Sequence, residues 1–329
     1  MKLKEVLGID ASKLTLDCHL HHKGDYKVFD NNHEGITKMI DWALENARKE
    51  DLLFVFEHTG LYSHLLVKLL SYSDCLFHIA SGLEIKRSLG IARGKDDKAD
   101  ARRIALYGYR IREEINPYQI YSESLELLKR LMSMRKKLVT QRAGHIATLG
   151  EQKRVLDVSE NEILFQVQIE IISSLDKQIS KLEKKMDQHI KQDPELRELF
   201  KLLTSIKGIG NVTARFLIVY TSGFSAFRSW RKFASYCGIA PFPNRSGTSV
   251  KGKTKVSHLA NKEGKALLSL CAASAIQSNP EMRLYYQRRV QEGKNKMSTL
   301  NIIRNKLLAR AFAVIQRRTP YVDTMKYAV

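Results

Sequence analysis

The feature that most constrains the fold of this chain is a series of five short apolar segments between residues 5 and 80. The first three follow one another closely, and Leu14–Leu20 alternates apolar with polar residues, which predicts an antiparallel meander. The fourth, Leu52–Phe56, is continuously apolar, as expected of a strand buried on both faces. Apolar residues at helical spacing separate the later segments. The predicted order is βββαβαβα in one mixed sheet, with strands at 5–10, 14–20, 26–29, 52–56 and 76–80.

Four acids occur where such a sheet would bring them together. Asp10 follows the first strand and Glu57 follows the fourth, and sites in open α/β sheets form outside the carboxyl ends of strands. Asp97 and Asp100 stand three residues apart at the start of a predicted helix, on one face. Each acid alone is explained as well by a turn, a cap or a solvated position. As a cluster they repel one another unless cations neutralise them, so the set predicts a site for Mg²⁺ or Mn²⁺ that assists phosphoryl transfer.

The charge of the chain indicates a polyanionic partner. Among 329 residues, 55 are Lys or Arg and 35 are Asp or Glu, which gives a formal net charge of +20. A basic excess of this size favours nucleic-acid binding over a basic surface without a specific partner. No apolar signal core begins the sequence and no stretch approaches the roughly 18 apolar residues of a membrane span. The four cysteines form no CxxC pair and are interpreted as reduced core thiols, so a cytoplasmic, nucleoid-associated protein is expected. His19, His21 and His22 are close in sequence, and a solvated edge strand explains them better than a metal site.

A proline-free stretch, 122–192, is predicted to be helical throughout. Its first part is one long basic helix, and its second part carries a heptad with Phe165, Ile172, Ile179 and Met186 at position a. The heptads are explained equally well by a helical hairpin that packs on itself and by a coiled coil that joins protomers. The predicted domains are 1–118, 119–200 and 201–329.

The C-terminal third contains two segments suited to phosphate. Gly208-Ile209-Gly210 resembles the turn of a helix–hairpin–helix, in which the next helix start can hold a phosphate, although a simple helical corner looks the same. A helix is predicted from Ser225 to Cys237, and residues 238–258 are predicted to be an irregular basic segment around Ser246. A serine beside cations can attack phosphorus, but a phosphate-clamping or solvated loop explains the residues more readily. Residues 247–254 also match the P-loop pattern; two preceding prolines and a poor helix start argue against ATP binding.

Taken together, these residues resemble those of insertion-sequence transposases that join an N-terminal RuvC-like DEDD domain to a C-terminal serine-bearing domain, the bridge-RNA-guided recombinases. The resemblance covers essentially the whole chain. It rests on the order and spacing of 8–10, 57–60, 95–101, 208–210 and 236–241 leading to Ser246-Gly247.

The resemblance implies an RNase H/RuvC-like mixed sheet, a long helical coiled-coil hairpin and a mainly helical C-terminal domain. Asp10, Glu57, Asp97 and Asp100 would bind metal, and Ser246 would become linked to DNA. Asp96 is left out of the tetrad because only the Asp97–Asp100 spacing fits the motif. The partners would be donor and target DNA, a structured noncoding guide RNA and further copies of the chain in a dimer or tetramer. Residues expected to contact nucleic acid are Lys95, Gly208, Gly210, Arg245, Lys251, Lys253 and Lys255.

The sequence departs from the family pattern after the serine, where 253–262 matches only loosely, and Ser249 remains a rival nucleophile. Two other functions stay open. One is a RuvC-like nuclease of the junction-resolvase type that hydrolyses DNA with water, and the other is a noncatalytic nucleic-acid-binding scaffold.

Overall fold

The computed structural model describes residues 3–88, 90, 96–115, 118, 122–157, 159–246 and 250–323, with only the backbone of residues 246, 250, 251 and 253. The chain forms two compact units, Met1–Ile120 and Tyr121–Val329. The helix Pro194–Thr204 runs across residue 200, where the second domain boundary is predicted, and a separate domain at 119–200 stays a prediction. Among the described residues, no helix combines the length and apolarity needed to cross a bilayer.

The N-terminal unit is built on the predicted mixed sheet. Its five strands lie in the order β3-β2-β1-β4-β5, with β1 antiparallel to β2, β2 antiparallel to β3, and β1, β4 and β5 parallel. The strands are β1 (Glu5–Ala11), β2 (Thr15–Leu20), β3 (Tyr26–Asp30), β4 (Leu52–Glu57) and β5 (Phe77–Ala80). The helices are α1 (His33–Asn46), α2 (His64–Tyr72), α3 (Gly82–Ser88) and α4 (Asp97–Ile111), with a 3₁₀ turn at Lys49–Asp51.

Both faces of this sheet are covered, which explains the uninterrupted apolar runs. One side of β1 and β4 presents Leu7, Ile9, Phe54 and Phe56 to a core shared with α1 and α2. The other side presents Val6, Leu53 and Val55 to a core shared with α3 and α4. Because successive side chains alternate along a strand, Gly8, Asp10 and Glu57 belong to the second face.

The C-terminal unit begins with two long antiparallel helices, α5 (Glu123–Val155) and α6 (Glu162–Gln192). Ion pairs join them along their length, with Arg135 Nε 2.6 Å from Glu183 and Arg142 Nε 2.8 Å from Asp176. The heptad residues Phe165, Ile179 and Met186 are buried. The two helices therefore pack against each other within one chain, as one of the two interpretations expects.

The remaining elements surround one apolar core. All four cysteines of the chain are free and buried, as predicted from their spacing. The elements are α7 (Pro194–Thr204), α8 (Asn211–Tyr220), α9 (Trp230–Tyr236), β6 (Pro241–Ser246), β7 (Val250–Val256), α10 (Lys262–Ser278), α11 (Pro280–Gln291) and α12 (Lys296–Arg317).

Two sequence-based predictions are wrong in this unit. A helix is expected from residue 225, but α9 begins only at Trp230, because Ser222, Gly223 and Phe224 all have left-handed backbone conformations with φ of 53°, 64° and 70°. The segment expected to be irregular holds an antiparallel β6–β7 ribbon. Prolines at 241 and 243 obscure this pattern, since a two-stranded ribbon leaves edges on which a missing N–H costs little. The β7 strand also occupies the described residues where a P-loop requires a helix start, as the poor helix signal there predicts.

Candidate active site

Helix α4 lies directly on strand β1, backbone against backbone. A Cβ atom at Gly8 would lie 2.2 Å from the nitrogen of Ala105 and 2.4 Å from the carbonyl oxygen of Ala101, too close for any side chain. Further along the helix, a Cβ atom at Gly108 would lie 2.9 Å from Cγ1 of Val6. The helix therefore runs antiparallel to β1, and its N-terminus points toward the carboxyl end of the strand.

This packing brings the four predicted acids to one end of one sheet face. Asp10 is two residues beyond Gly8, on the face that α4 covers, and Asp97 is one helical turn before Ala101. The β1–β4 register pairs Ile9 with Phe56, so Glu57 follows on the strand beside Asp10. We call Asp10, Glu57, Asp97 and Asp100 the carboxylate edge.

The electrostatics of Asp10 reflect this convergence. Its pKa is raised from 3.8 to about 6, first by burial and then by the negative charges of Asp100, Asp97, Asp17 and Glu57. All three other members of the carboxylate edge thus act on Asp10, together with a fifth acid. A buried carboxylate surrounded by other negative charges forms a site that a cation would stabilise.

Neighbouring residues hold the individual acids. Arg103 Nη1 donates to Asp100 over 2.7 Å. The side chain of Asp96 caps α4 by accepting from the backbone N–H of Ala99 at 2.6 Å. Glu57 lies against Gly82, where a Cβ atom would be 2.2 Å from its Oε1. Asp96 therefore has a structural task at the helix start, while a missing side chain at position 82 makes room for the Glu57 carboxylate.

The ligand set has the chemistry of a divalent-metal site, although its members do not enclose one point. Carboxylate oxygens are hard ligands of the kind that Mg²⁺ and Mn²⁺ prefer. Within the described part of the chain, no three His, Cys, Asp or Glu side chains are grouped so as to hold a metal ion. The residues fit a metal by donor type and by the negative charge around Asp10, of which the charge of Asp100 is paired with Arg103.

Asp17 is the acid that sequence reasoning missed. It lies opposite Asp10 in the β1–β2 register and is only 5% exposed. The hydroxyl of Tyr26 donates a hydrogen bond to it, and this bond, more than burial, raises the pKa of Tyr26 to about 12. The Nζ atom of Lys98 lies 5.0 Å from the centre of the Tyr26 ring. The sequence feature that could have identified Asp17 is the alternation of β2, which places residue 17 on the same sheet face as residue 10 once the register is known.

The histidines after Asp17 also differ from expectation. They were predicted to lie on a solvated edge strand, but β2 is an interior strand and His19 on it is buried. Burial lowers the pKa of His19, with Arg102 as the next cause. His21 and His22 follow the end of β2, where the His21 ring stacks on Tyr109 at 4.4 Å between centroids. These contacts assign the rings to packing beside α4.

The C-terminal candidates are only partly described. Ser246 ends β6, with its Cα paired to Val250, and Arg245 is paired to Lys251. The side chains of Ser246, Lys251 and Lys253 lie outside the described atoms, as do residues Lys95 and Ser249 entirely. Lys255 lines a cavity beside the ribbon.

The predicted glycine hairpin joins α7 to α8. Gly208 has φ of +100°, and a Cβ atom there would lie 2.8 Å from Cβ of Ala275, so the turn packs on α10. Gly210 caps the N-terminus of α8 with open space around its Cα. Glu183 and Asp187 line the cavity at this helix start, which disfavours a phosphate there.

Comparison with known proteins agrees with this geometry. The family model described as DEDD transposase of IS110 matches residues 7–152, and the model described as transposase of the IS116/IS110/IS902 family matches residues 200–287. Two pilin gene-inverting proteins, from Moraxella bovis and Moraxella lacunata, are each 29% identical over 97% of this chain and 98% of their own length. An uncharacterized protein of insertion element IS110 from Streptomyces coelicolor is 30% identical over 41% of this chain and 33% of its own length.

The first matched range contains the whole carboxylate edge, and the second contains the glycine hairpin and the β6–β7 ribbon. A DEDD transposase domain implies dependence on a divalent metal. Over both matched ranges the chain is similar to transposases of the IS110 family, and these similarities identify it as a DNA transposase or recombinase.

Proposed function

We propose that this transposase cuts and rejoins DNA under the guidance of a structured noncoding RNA, with the carboxylate edge as its metal site and Ser246 as its nucleophile. The observation that carries the proposal is the position of four acids around Asp10, whose pKa is raised first by burial and then by their charges, in a chain of net charge +20. Negative charge collected at one end of a sheet in a strongly basic protein favours a metal-assisted phosphoryl transfer on a polyanion.

Asp10, Glu57, Asp97 and Asp100 would hold Mg²⁺ or Mn²⁺. When bound, the metal supplies stabilisation of the charge that develops on the oxygens of the reacting phosphate. Asp17 would keep its place beside Asp10, on the neighbouring strand, through the hydrogen bond from Tyr26. The ion pair with Arg103 would restrict rotation of the Asp100 carboxylate toward the metal.

The serine step conserves the energy of the cleaved bond. The Oγ–P bond forms as one P–O bond of the DNA backbone breaks, and the serine proton ends on the hydroxyl of the released strand. Attack by a strand hydroxyl on the phosphoserine reverses these changes and rejoins DNA without ATP. Ser246 closes β6 in a ribbon that also bears Arg245 and Lys255, and cations near a phosphoserine would stabilise its charge.

Guide RNA and assembly rest on the resemblance of the sequence. The tetrad of one protomer would complete a site with the serine of another copy, in a dimer or tetramer. The names of the Moraxella relatives denote the inversion of a pilin gene. Inversion requires that broken strands be rejoined, which favours a recombinase over a nuclease that releases free ends.

The test is to trap the covalent intermediate. The full chain is incubated with DNA of its element, the RNA transcribed from the flanking noncoding segment and Mg²⁺, and protein–DNA adducts are separated under denaturing conditions. We expect a protease-sensitive adduct that Ser246→Ala abolishes and that Ser249→Ala retains. Cleavage that needs Asp10 but proceeds without an adduct, and that Ser246→Ala leaves intact, would establish hydrolysis by water instead. An adduct that forms equally well without the RNA would remove RNA guidance from the proposal.

A further inference from the structure

A basic cavity lies between the β6–β7 ribbon and α12, in the C-terminal unit. Its volume is about 660 Å³, within the range of sites that hold ligands. Its walls include five side chains that can donate a hydrogen bond with a positive charge: Lys255, His258, Lys265, Lys294 and Arg304. No acidic residue is among the described side chains that line it. We call this cavity the Arg304 pocket.

Arg304 is the most informative of these residues. It is only 6% exposed, yet within the described part of the chain no carboxylate lies within ion-pair distance of it. One nitrogen, Nη1, donates to Asn301 Oδ1 over 3.3 Å, while Nε is buried without any partner among the described residues. Burial lowers the pKa of the guanidinium. A buried cation without a counterion is costly for a fold, and a bound anion would relieve that cost.

The local packing holds Arg304 in this position. Asn301, one helical turn earlier on α12, donates its amide to the backbone carbonyl of Ile239 at 2.9 Å, which fixes the oxygen that accepts from Arg304. Asn305 donates to the same carbonyl at 3.1 Å. These hydrogen bonds fasten the face of α12 beside Arg304 to the segment that leads into β6. The guanidinium lines the cavity at this fixed position.

The cavity at the start of α8 differs in charge. Glu183 and Asp187 line that cavity, and Asp187 pairs with the buried Arg215. Its arginine already has a carboxylate, whereas Arg304 has none among the residues that the structure describes. Of the two cavities, only the Arg304 pocket combines several cations with a buried arginine whose charge the described residues leave unbalanced.

We infer that the Arg304 pocket binds a phosphodiester of the DNA backbone. The pocket begins at Pro241, the first residue of β6, so a strand anchored there would enter along the ribbon that ends at Ser246. Arginine presents planar paired donors that suit phosphate oxygens, and the surrounding lysines would neutralise the next charges along the strand. The inference rests on the proposed function in taking DNA as the ligand, and it adds a binding site outside the carboxylate edge and the serine.

The test measures DNA binding without asking for cleavage. Binding of a fluorescent DNA duplex to the full chain is followed by anisotropy over a series of salt concentrations. We expect Arg304→Met to weaken binding about 10- to 100-fold and to reduce the salt dependence by about one released counterion. Arg197→Met on α7, an exposed arginine outside the pocket, is the matched control and should lose no more than about twofold.

A second variant separates binding from folding. Arg304→Met should melt at or above the temperature of the wild type, since it removes an unpaired buried charge. Lys294→Gln changes an exposed side chain at the rim and should weaken binding by about three- to tenfold with the same loss of salt dependence. Unchanged affinity and salt dependence in both variants overturns the inference. So does a lower melting temperature of Arg304→Met together with unchanged binding by Lys294→Gln, which assigns Arg304 to the fold.

Two further outcomes are distinguishable. A loss of affinity that occurs with an RNA duplex of the same sequence but not with DNA overturns DNA as the ligand. If the variants bind DNA less well while the wild type yields neither cleavage nor adduct, the pocket stands and the proposed function fails.

Discussion

The carboxylate edge and the Arg304 pocket are opposite in charge and alike in being unbalanced. At the edge, burial and the surrounding acids raise the pKa of Asp10, and in the pocket, cations accompany a buried arginine that has no carboxylate partner among the described residues. Folding alone favours neither arrangement, because like charges repel and buried charges lose their hydration. The difference in sign is the reason for proposing different ligands, divalent cations at the edge and phosphates in the pocket.

The two regions also differ in how they are positioned. Backbone contact between α4 and β1 sets the edge, whereas hydrogen bonds from Asn301 and Asn305 to one carbonyl orient the helix beside the pocket. The edge should therefore respond sharply to added volume, and the pocket should respond mainly to changes of charge. The following predictions test this contrast.

The largest effect is expected from Asp10→Asn, which removes one charge from the carboxylate edge with little change in size. Strand cleavage should fall on the order of 10³-fold, since metal stabilisation of the reacting phosphate is lost. The matched control is Asp96→Asn, because Asn caps a helix about as well as Asp and position 96 serves the cap. Cleavage rates on a labelled DNA substrate measure both variants. Equal losses in the two would show that the negative charge of the segment matters and the edge does not.

Gly8→Ala should give the next largest effect. The added Cβ atom would collide with the backbone of α4, and such overpacking costs about 1–3 kcal/mol of unfolding free energy. Gly144→Ala is the control, since no atom lies within 4 Å of a Cβ there and α5 should gain about 0.5–1 kcal/mol.

The two tryptophans allow each unit to be followed separately in urea. Trp42 lies in α1 of the N-terminal unit and Trp230 opens α9 of the other. In a Trp230→Phe background, fluorescence reports the unit that contains Gly8. A Gly8→Ala variant whose urea midpoint and cleavage rate both equal those of the wild type would disprove the direct contact of α4 with β1.

The pH dependence of stability should show the cost of ionising Asp10 in the folded state. The folded pKa of Asp10 is raised from 3.8 to about 6, so the folded state binds more protons than the unfolded state between these values. Stability contributed by this group therefore falls as pH rises through that window. At pH 7.5 and without divalent metal, Asp10→Asn should melt above the wild type, and at pH 3.5 the difference should vanish. The measurement is the melting temperature of both proteins across this pH range. A wild type that melts above Asp10→Asn at pH 7.5 would contradict the raised pKa.

The smallest effects should separate the two regions by ion. Ions at about ten times their dissociation constant stabilise by about 1.4 kcal/mol, or a few degrees in melting temperature. Mg²⁺ should raise the midpoint reported by Trp42, and inorganic phosphate should raise the midpoint reported by Trp230. Asp10→Asn should remove only the Mg²⁺ effect and Arg304→Met only the phosphate effect. The contrast fails if either variant removes both effects or neither.

The sheet and the acids at its end could be predicted largely from the sequence. The continuous run Leu52–Phe56 and the alternation of 14–20 correspond to observed strands, because burial imposes these periods directly. Asp97 and Asp100 share a helix face at a spacing that any α-helix would give.

The residues that were missed depend on contacts between distant parts of the chain. Asp17 is informative only once β1 and β2 are paired in register, and Arg304 looks like one more solvated residue on a basic helix until its burial is seen. The β6–β7 ribbon was missed because its prolines and glycines erase the alternation by which strands are recognised. Long-range register, burial of single polar residues and ribbon pairing are set by the tertiary structure, which local periodicity does not encode.

The contact at Gly8 also determines how the carboxylate edge can respond to its substrate. Side chains at an interface rotate and adjust, but two backbones in contact permit only small sliding motions. Asp10 lies on one of these two backbones, and the acids at the start of α4 lie on the other. The distances between their Cα atoms are therefore nearly fixed. Adjustment to a metal ion or a phosphate would then come from rotation of the carboxylates themselves. Glu57, on the neighbouring strand and beside Gly82, has the longest side chain of the four and therefore the largest number of rotatable bonds.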